Sequence, residues 1–333
     1  MEKSATTAAT RSDAPKSESI FLRIVEHPDG SVTRPVVPLV PPDAGGSEAA
    51  AIISKDVLLD EAKGTWLRLY LPSRPPPEAK LPVLLYLHGG GFVLFSPDFL
   101  LYNAFCERAA AALPALVVSL HYRLSPEHRL PLAYDDAADA LRWLLLAAGP
   151  SGAADPWVAS HGDLSRCFLA GSSSGGNIAY HAGLRMRAAG QQLKVAGLVM
   201  IQPYFGGEER TGSEARSGED PVLPLRASDM MWRMALPAGA TRDHEYCNPT
   251  AAKAVGGGAA PALPRCLVTG CKGDPLFDRQ EAFAEMLEKA GAAEELVVRF
   301  DHEGYHAIEL FEPASADKLL AEVREFVYGS ASK

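Results

Sequence analysis

Between Leu169 and Asn177 the chain reads LAGSSSGGN, three consecutive serines set between glycines. Only Ser173 has a glycine two residues before it, Gly171, and another two residues after it, Gly175. A serine flanked in this way can turn sharply out of a strand into a helix, which presents its hydroxyl as a nucleophile at the helix N-terminus. In a chain with 29 glycines the pentapeptide alone carries little weight, so its context decides. SRCFLAG precedes it as an apolar, strand-like run, and GGNIAYHAGLRMRAAG follows as a helix ending at Gly190. Ser172 and Ser174 lack the flanking glycines. Ser174 contributes instead the backbone N–H that follows the nucleophile and can face an oxyanion.

A second chemical piece lies upstream, where His88-Gly89-Gly90-Gly91-Phe92 directly follows the apolar run LPVLLYL. Three glycines leave backbone N–H groups unshielded, and one such donor contributes about 3 kcal/mol to a tetrahedral transition state. A serine nucleophile then needs an acid and a base further along, in the order Ser, Asp/Glu, His. PRCLVTGCKGDPLFD supplies a strand and then Asp274 in the loop beyond it; Asp278 opens the next helix and reads as its N-cap. For the base, ELVVRF leads into FDHEGYHAIEL, where His302 and His306 are both available.

The same segment matches H-E-x-x-H, a zinc-protease signature. That chemistry needs one helix face for both histidines and a third ligand further on. Here a strand immediately precedes, Gly304 disfavours a helix by about 1 kcal/mol, and no distant ligand is evident. Serine chemistry without a metal or cofactor is the expectation.

The elements that must position these residues alternate. DVLLD and TWLRLYL alternate apolar and polar residues as half-buried strands do. LPVLLYLH and ALVVSLHY are continuous apolar runs suited to strands covered on both faces. FLLYNAFCERAAAAL and AYDDAADALRWLLLAA read as helices; VAGLVMIQP, PRCLVTG and ELVVRF follow as strands, with EAFAEMLEKAG and ADKLLAEVREFV helical. Such alternation predicts an α/β fold, a mostly parallel central sheet flanked by helices. IFLRIV (20–25) and VTRPVV (32–37) read as two short strands around Asp29-Gly30. Residues 203–262 interrupt the alternation with a short helix, DMMWRMA, and are expected to form an insertion near the site. Its apolar residues, Tyr204, Phe205 and Trp232 among them, together with Phe92, are candidates for the lining of a substrate pocket, and those of the insertion read equally as core.

Composition narrows the partners. A formal charge of −9 and a pI near 5.5 argue against nucleic acid and anionic membrane surfaces, and no apolar run approaches the ~20 residues of a membrane span. Residues 1–19 are polar, lack the apolar core of a secretory signal and read as a disordered tail before a single domain over 20–330. Five scattered cysteines form no C-x-x-C pair, which fits a reducing, cytoplasmic home. Oligomeric state leaves no trace in the sequence.

Residues 20–328 resemble the plant carboxylesterases of the hormone-sensitive-lipase group of α/β-hydrolases, the family that also contains the gibberellin receptor. The matching stretches are FLR…DGSVTRP, HGGGF, YRLSPEHRLPLAYDD, GSSSGGN, FGGEERTGSE, LPAGATRDHEYCNP, GCKGDPLFD and the His306 segment. The resemblance implies an α/β-hydrolase fold with nucleophile Ser173, acid Asp274, base His306, and oxyanion donors Gly89, Gly90, Gly91 and Ser174. It also implies that residues 20–50 contribute to a lid. The family usually has an acidic residue before the nucleophile, where this chain has Ser172. Arg123, Glu127 and Asp135 read as ion-paired supports beneath the site. The implied function is serine carboxylesterase, hydrolysing small carboxylic esters through an acyl-enzyme. Two alternatives share these motifs: a hormone receptor, either non-catalytic like the gibberellin receptor, which lacks the histidine present here as His306, or hydrolysing its ligand, and a lyase like the hydroxyisoflavanone dehydratases.

Overall fold

The structure, a computed structural model, describes residues 18–43, 50–75, 79–149, 155–188, 193–251 and 263–329. Its sheet is built from the apolar runs. All seven residues of β5 (Leu81–Leu87) are buried, as a strand covered on both faces requires. Alternate β5 side chains feed two apolar clusters, Val83, Leu85 and Leu87 on one face of the sheet, Leu84 and Tyr86 on the other.

In chain order the elements are the short strands β1 (Val25–Glu26) and β2 (Val32–Thr33), then β3 (Ile52–Asp60), β4 (Thr65–Pro72), β5, α1 (Leu100–Ala112), β6 (Leu116–His121), α2 (Leu132–Ala147) and α3 (Pro156–His161). There follow β7 (Gly162–Ser172), α4 (Ser174–Ala188), β8 (Val195–Ile201), α5 (Gly212–Arg216), α6 (Leu225–Ala235), β9 (Arg265–Cys271), α7 (Phe277–Lys289), β10 (Leu296–His302) and α8 (Pro313–Tyr328). The eight-stranded sheet has the order β10-β9-β8-β7-β5-β6-β4-β3. Only β4 runs against the rest, pairing antiparallel with both β3 and β6. The chain leaves β5 for β6 on one side and later returns to β7 on the other. The carboxyl ends of β5 and β7 therefore flank a switch in winding direction, the place where open α/β sheets form a crevice. Among the described residues no helix is long and apolar enough to cross a membrane.

Three details depart from the sequence reading. Ile20–Arg23 is a single 3-10 turn and not a strand, because Phe21 and Ile24 are both buried and do not alternate outward. Phe21 packs edge-on to Phe95, 5.9 Å between ring centres. Ser19, placed in the tail by sequence, is buried and donates to the Val222 carbonyl at 2.7 Å; residues 1–17, like Gly190 and residues 252–262, lie outside the described residues. The third departure concerns the ion pairs. Arg123 pairs with Asp136 at 2.6 Å, whereas Asp135 pairs with Arg185 and Glu127 with Arg34. Consecutive residues of α2 point in different directions, so Asp136 faces the core and Asp135 the surface.

The Asp136 side chain is 0% exposed and also accepts the Arg123 backbone N–H at 2.9 Å. Removing one partner of such a pair leaves a desolvated charge, at a cost of about 3–5 kcal/mol. Denaturant unfolding of Asp136→Ala is expected to show a loss of that size. Asp135→Ala, which breaks a half-exposed pair, is expected to change stability by less than about 1 kcal/mol.

Candidate active site

β7 ends at Ser172 and α4 begins at Ser174, so Ser173 is the whole turn between them. Its φ is +55°, a left-handed conformation that costs a non-glycine residue about 1–3 kcal/mol. Its N–H donates to the Ile201 carbonyl at 2.8 Å, and its own carbonyl accepts the Gly176 and Tyr204 N–H groups, each at 2.9 Å. The flanking glycines are steric necessities. A Cβ on Gly171 would lie 2.3 Å from the Gly175 carbonyl, and one on Gly175 only 1.8 Å from the Leu87 carbonyl of β5.

The structure brings the separated candidates together. His306, in the loop beyond β10, places Nε2 2.9 Å from the Ser173 hydroxyl oxygen and Nδ1 2.9 Å from Oδ2 of Asp274. A carboxylate only accepts, so Nδ1 carries the proton and Nε2 is free to accept from the serine hydroxyl. Asp274, in the loop beyond β9, is 1% exposed and His306 3% exposed, while Ser173 retains 8%. The Asp274 carboxylate also accepts from the side-chain amides of Gln202 (3.0 Å) and Gln280 (2.9 Å) and from the Leu276 N–H (2.8 Å). Burial alone would lower the His306 pKa. The Asp274 charge and hydrogen bond outweigh it, aided by Glu309 and Asp220, and leave the imidazole above its ordinary 6.5.

The glycine run continues from β5 and lies against the serine. A Cβ on Gly89 would come within 3.1 Å of the Ser173 Cβ, and Gly90 and Gly91 adopt φ of +111° and +61°. A Cβ on Gly89 would also lie 2.5 Å from the Tyr102 hydroxyl. Within the described residues the N–H groups of Gly90, Gly91 and Ser174 make no backbone hydrogen bond. His88 is core: its ring stacks on Tyr122 at 4.3 Å, and burial lowers its pKa to about 3.

Other sequence candidates fall elsewhere. Asp278 is not the N-cap of its own helix; it lies inside the first turn of α7 and accepts the Ser213 N–H of α5 at 2.8 Å, joining two helices. His302 points to Glu322 of α8 at 2.9 Å, so the two histidines of H-E-x-x-H have separate partners. The grouping of possible metal ligands found among the described residues is Asp301, His302 and Glu322, which includes neither Glu303 nor His306. Phe92, Tyr204, Phe205 and Trp232, candidates for a pocket lining or for core, are all buried in the core. Tyr204 stacks on Trp232 at 4.6 Å beneath Phe92, and Phe205 turns to Phe283 of α7 at 4.5 Å. Rings of that size gain more from packing under the glycine loop and α6 than from facing open space. Gln202 and Gln280 went unnoticed in the sequence, although Gln202 is a polar residue ending the apolar run of β8.

The N-terminal segment and α6 pack against the glycine loop and the residues that follow it. Arg34 donates to the Val93 and Ser125 carbonyls at 2.7 and 2.8 Å, and Glu26 pairs with Arg233 of α6 at 2.6 Å.

A family model for the alpha/beta hydrolase fold matches residues 84–308. The chain is 44% identical over 285 residues to a 3-O-acetylpapaveroxine carboxylesterase of Papaver somniferum, covering 82% of this chain and 90% of that one. To carboxylesterase 20 of Arabidopsis thaliana it is 40% identical over 324 residues, covering 92% and 95%. Among solved structures it is similar to a thermostable carboxylesterase cloned from a metagenomic library, with a TM-score of 0.68, 28% identity, and 82% and 89% of the two chains covered. The chain belongs to the α/β-hydrolases, and within them to the plant carboxylesterases, a family of carboxylic ester hydrolases.

Two outcomes follow from the geometry. Gly175→Ala is expected to abolish activity and to lower the thermal midpoint, because its Cβ has no room short of moving β5. A base must be neutral to accept a proton, and kcat/KM reports the free enzyme's base. The acid limb of kcat/KM is therefore expected to fall away as pH drops through a value above 6.5, the direction in which Asp274 moves His306.

Proposed function

We propose that the protein is a serine carboxylesterase that hydrolyses small carboxylic esters through Ser173, His306 and Asp274. The supporting observation is the placement of His306 at 2.9 Å from both partners, although the three residues come from three separate loops. In this reading His306 Nε2 takes the Ser173 proton as Oγ attacks the ester carbonyl. Asp274 holds the ring in the productive tautomer and stabilises the imidazolium. The tetrahedral oxyanion faces the N–H groups of the Gly89–Gly91 run and of Ser174. His306 then returns the proton to the departing alcohol oxygen, and water attacks the acyl-enzyme by the same route in reverse order. Residues 20–43 with α6 serve as the lid over the site. The domain runs from residue 20 to 330, and the buried free thiols among its five cysteines suit a cytoplasmic setting.

The test is turnover of an aryl acetate by single variants. Ser173→Ala and His306→Ala are expected to be inactive, Ser173→Ala with an almost unchanged thermal midpoint. Asp274→Asn is expected to lose about 10⁴ in kcat, the pattern when a triad carboxylate loses its charge. His302→Ala is expected to keep a substantial fraction of activity, chelators to have no effect, and an organophosphate to label Ser173 covalently. Full activity in Ser173→Ala, or loss on chelation, would remove this reading.

A further inference from the structure

Segments carrying all three members of the triad meet at the end of β8. Ile201 closes that strand, and its carbonyl accepts the Ser173 N–H at 2.8 Å. Gln202 comes next, 2% exposed, with a left-handed backbone at φ +41°. A non-glycine residue stays in that conformation only where its surroundings leave it no alternative. The Gln202 N–H donates to the Thr269 carbonyl of β9 at 3.0 Å, and its side chain does the rest.

Both hydrogens and the oxygen of the Gln202 amide are used. Nε2 donates to Oδ2 of Asp274 and to the Tyr305 carbonyl, each at 3.0 Å, and Oε1 accepts the Ala307 N–H at 2.9 Å. Turned over, the amide would set its oxygen against a carboxylate and a carbonyl, and its NH2 against an N–H. One orientation alone fits. Tyr305 and Ala307 are the two chain neighbours of His306. A single buried side chain therefore holds the histidine's segment on both sides and Asp274 at the same time. Gln280 makes the contrast: its amide donates to the same Asp274 oxygen at 2.9 Å, but its Oε1 has no partner among the described residues.

We propose that Gln202 is a positioning residue of the triad, its amide setting the place of the His306 loop relative to Asp274. The proposal rests on the esterase reading above. The proton relay does not pass through Gln202, which acts through the two groups it holds. Asp274 and His306 stand on separate loops beyond β9 and β10, joined directly by one hydrogen bond of 2.9 Å. A single bond fixes a distance and leaves the ring free to swing about it. The Gln202 contacts to residues 305 and 307 remove that freedom, and a displacement of about 1 Å at a reacting group can cost about 10²-fold in rate.

The experiment compares wild type, Gln202→Met and Gln280→Met on one aryl acetate, with amide hydrogen exchange followed across residues 303–311. Methionine keeps the length of the glutamine side chain and removes its hydrogen bonds. Gln202→Met is expected to lower kcat about 10²-fold with KM moving less than about twofold, because alignment is lost and not ester binding. Gln280→Met takes a donor from Asp274 and leaves the loop held, and is expected to lower kcat by no more than about tenfold, the worth of one hydrogen bond. Exchange across 303–311 is expected to rise in Gln202→Met and to stay at the wild-type level in Gln280→Met, since only the first deprives the Ala307 N–H of its acceptor. Organophosphate labelling of Ser173 reads the serine–histidine alignment without an ester and is expected to fall in step with kcat. If Gln202→Met fails to fold, Gln202→Asn replaces it; one methylene shorter, it is too short to span both Asp274 and the loop, and the same split is expected. Wild-type kcat in the Gln202 variant with only its thermal midpoint lowered is the result of a packing role and would overturn the proposal. Equal kcat losses at the two glutamines, or wild-type exchange across 303–311 in the Gln202 variant, would overturn it as well. Inactivity of the wild type, or activity in Ser173→Ala, would strike the esterase reading instead, while the exchange result would still judge the clamp.

Discussion

The left-handed turn at Ser173 is the constraint on which the rest of the structure hangs. A serine with φ of +55° persists only where its surroundings leave no alternative, and here they do so from several directions. Its N–H is held by β8 and its carbonyl by Tyr204 and Gly176. The missing side chains of Gly171 and Gly175 let α4 start against the end of β5, where Leu87 pairs with Gly171. That close approach is what carries the next residues, the glycine loop, alongside Ser173. The parallel pairing of β5 with β7 therefore serves as the ruler for the site. Stability invested in the sheet is what maintains the strained turn.

Electrostatics then follow from burial. A carboxylate removed from water must find its donors within the protein, and Asp274 finds four: two glutamine amides, a backbone N–H and the imidazole. Gln202 has a double duty, since its Oε1 accepts the Ala307 N–H and its amide reaches the Tyr305 carbonyl. The end of β8 thus grips both Asp274 and the loop of His306. The imidazole is oriented by this scaffold before any ester arrives, which is where preorganised sites gain their advantage over water.

Segments distant in sequence are tied together beside the glycine loop. Ser19 reaches Val222, Glu26 reaches Arg233, and Arg34 lies across the residues that follow the glycine loop. Most of these ties are exposed ion pairs or single hydrogen bonds, each worth about 1 kcal/mol or less. The sheet beneath rests on buried apolar area. The molecule accordingly pairs a firmly packed sheet with more weakly fastened N-terminal and α6 segments.

Residue order and local sterics carried a good part of this into the one-dimensional sequence. Apolar runs of strand length between helical periods can satisfy their backbone groups in few ways, so the parallel sheet was legible. Glycines at 171 and 175, and the run at 89–91, mark backbone positions where a Cβ does not fit, and that requirement is local. Asp274 could be told from Asp278 because a carboxylate just past a strand and one inside a helix have different immediate surroundings. What needed tertiary structure was every property that depends on which side a residue faces or what meets it from afar. Arg123 chose Asp136 over Asp135 because α2 turns one inward and the other outward. Phe92, Tyr204, Phe205 and Trp232 are core because other rings close over them, which composition cannot convey. Gln202 and Gln280 are polar residues whose contacts arise only when β8, α7 and the His306 loop converge on the same few ångströms. Local backbone chemistry is written in neighbouring residues; partnership across the fold is a matter of distance, and only the folded chain sets it.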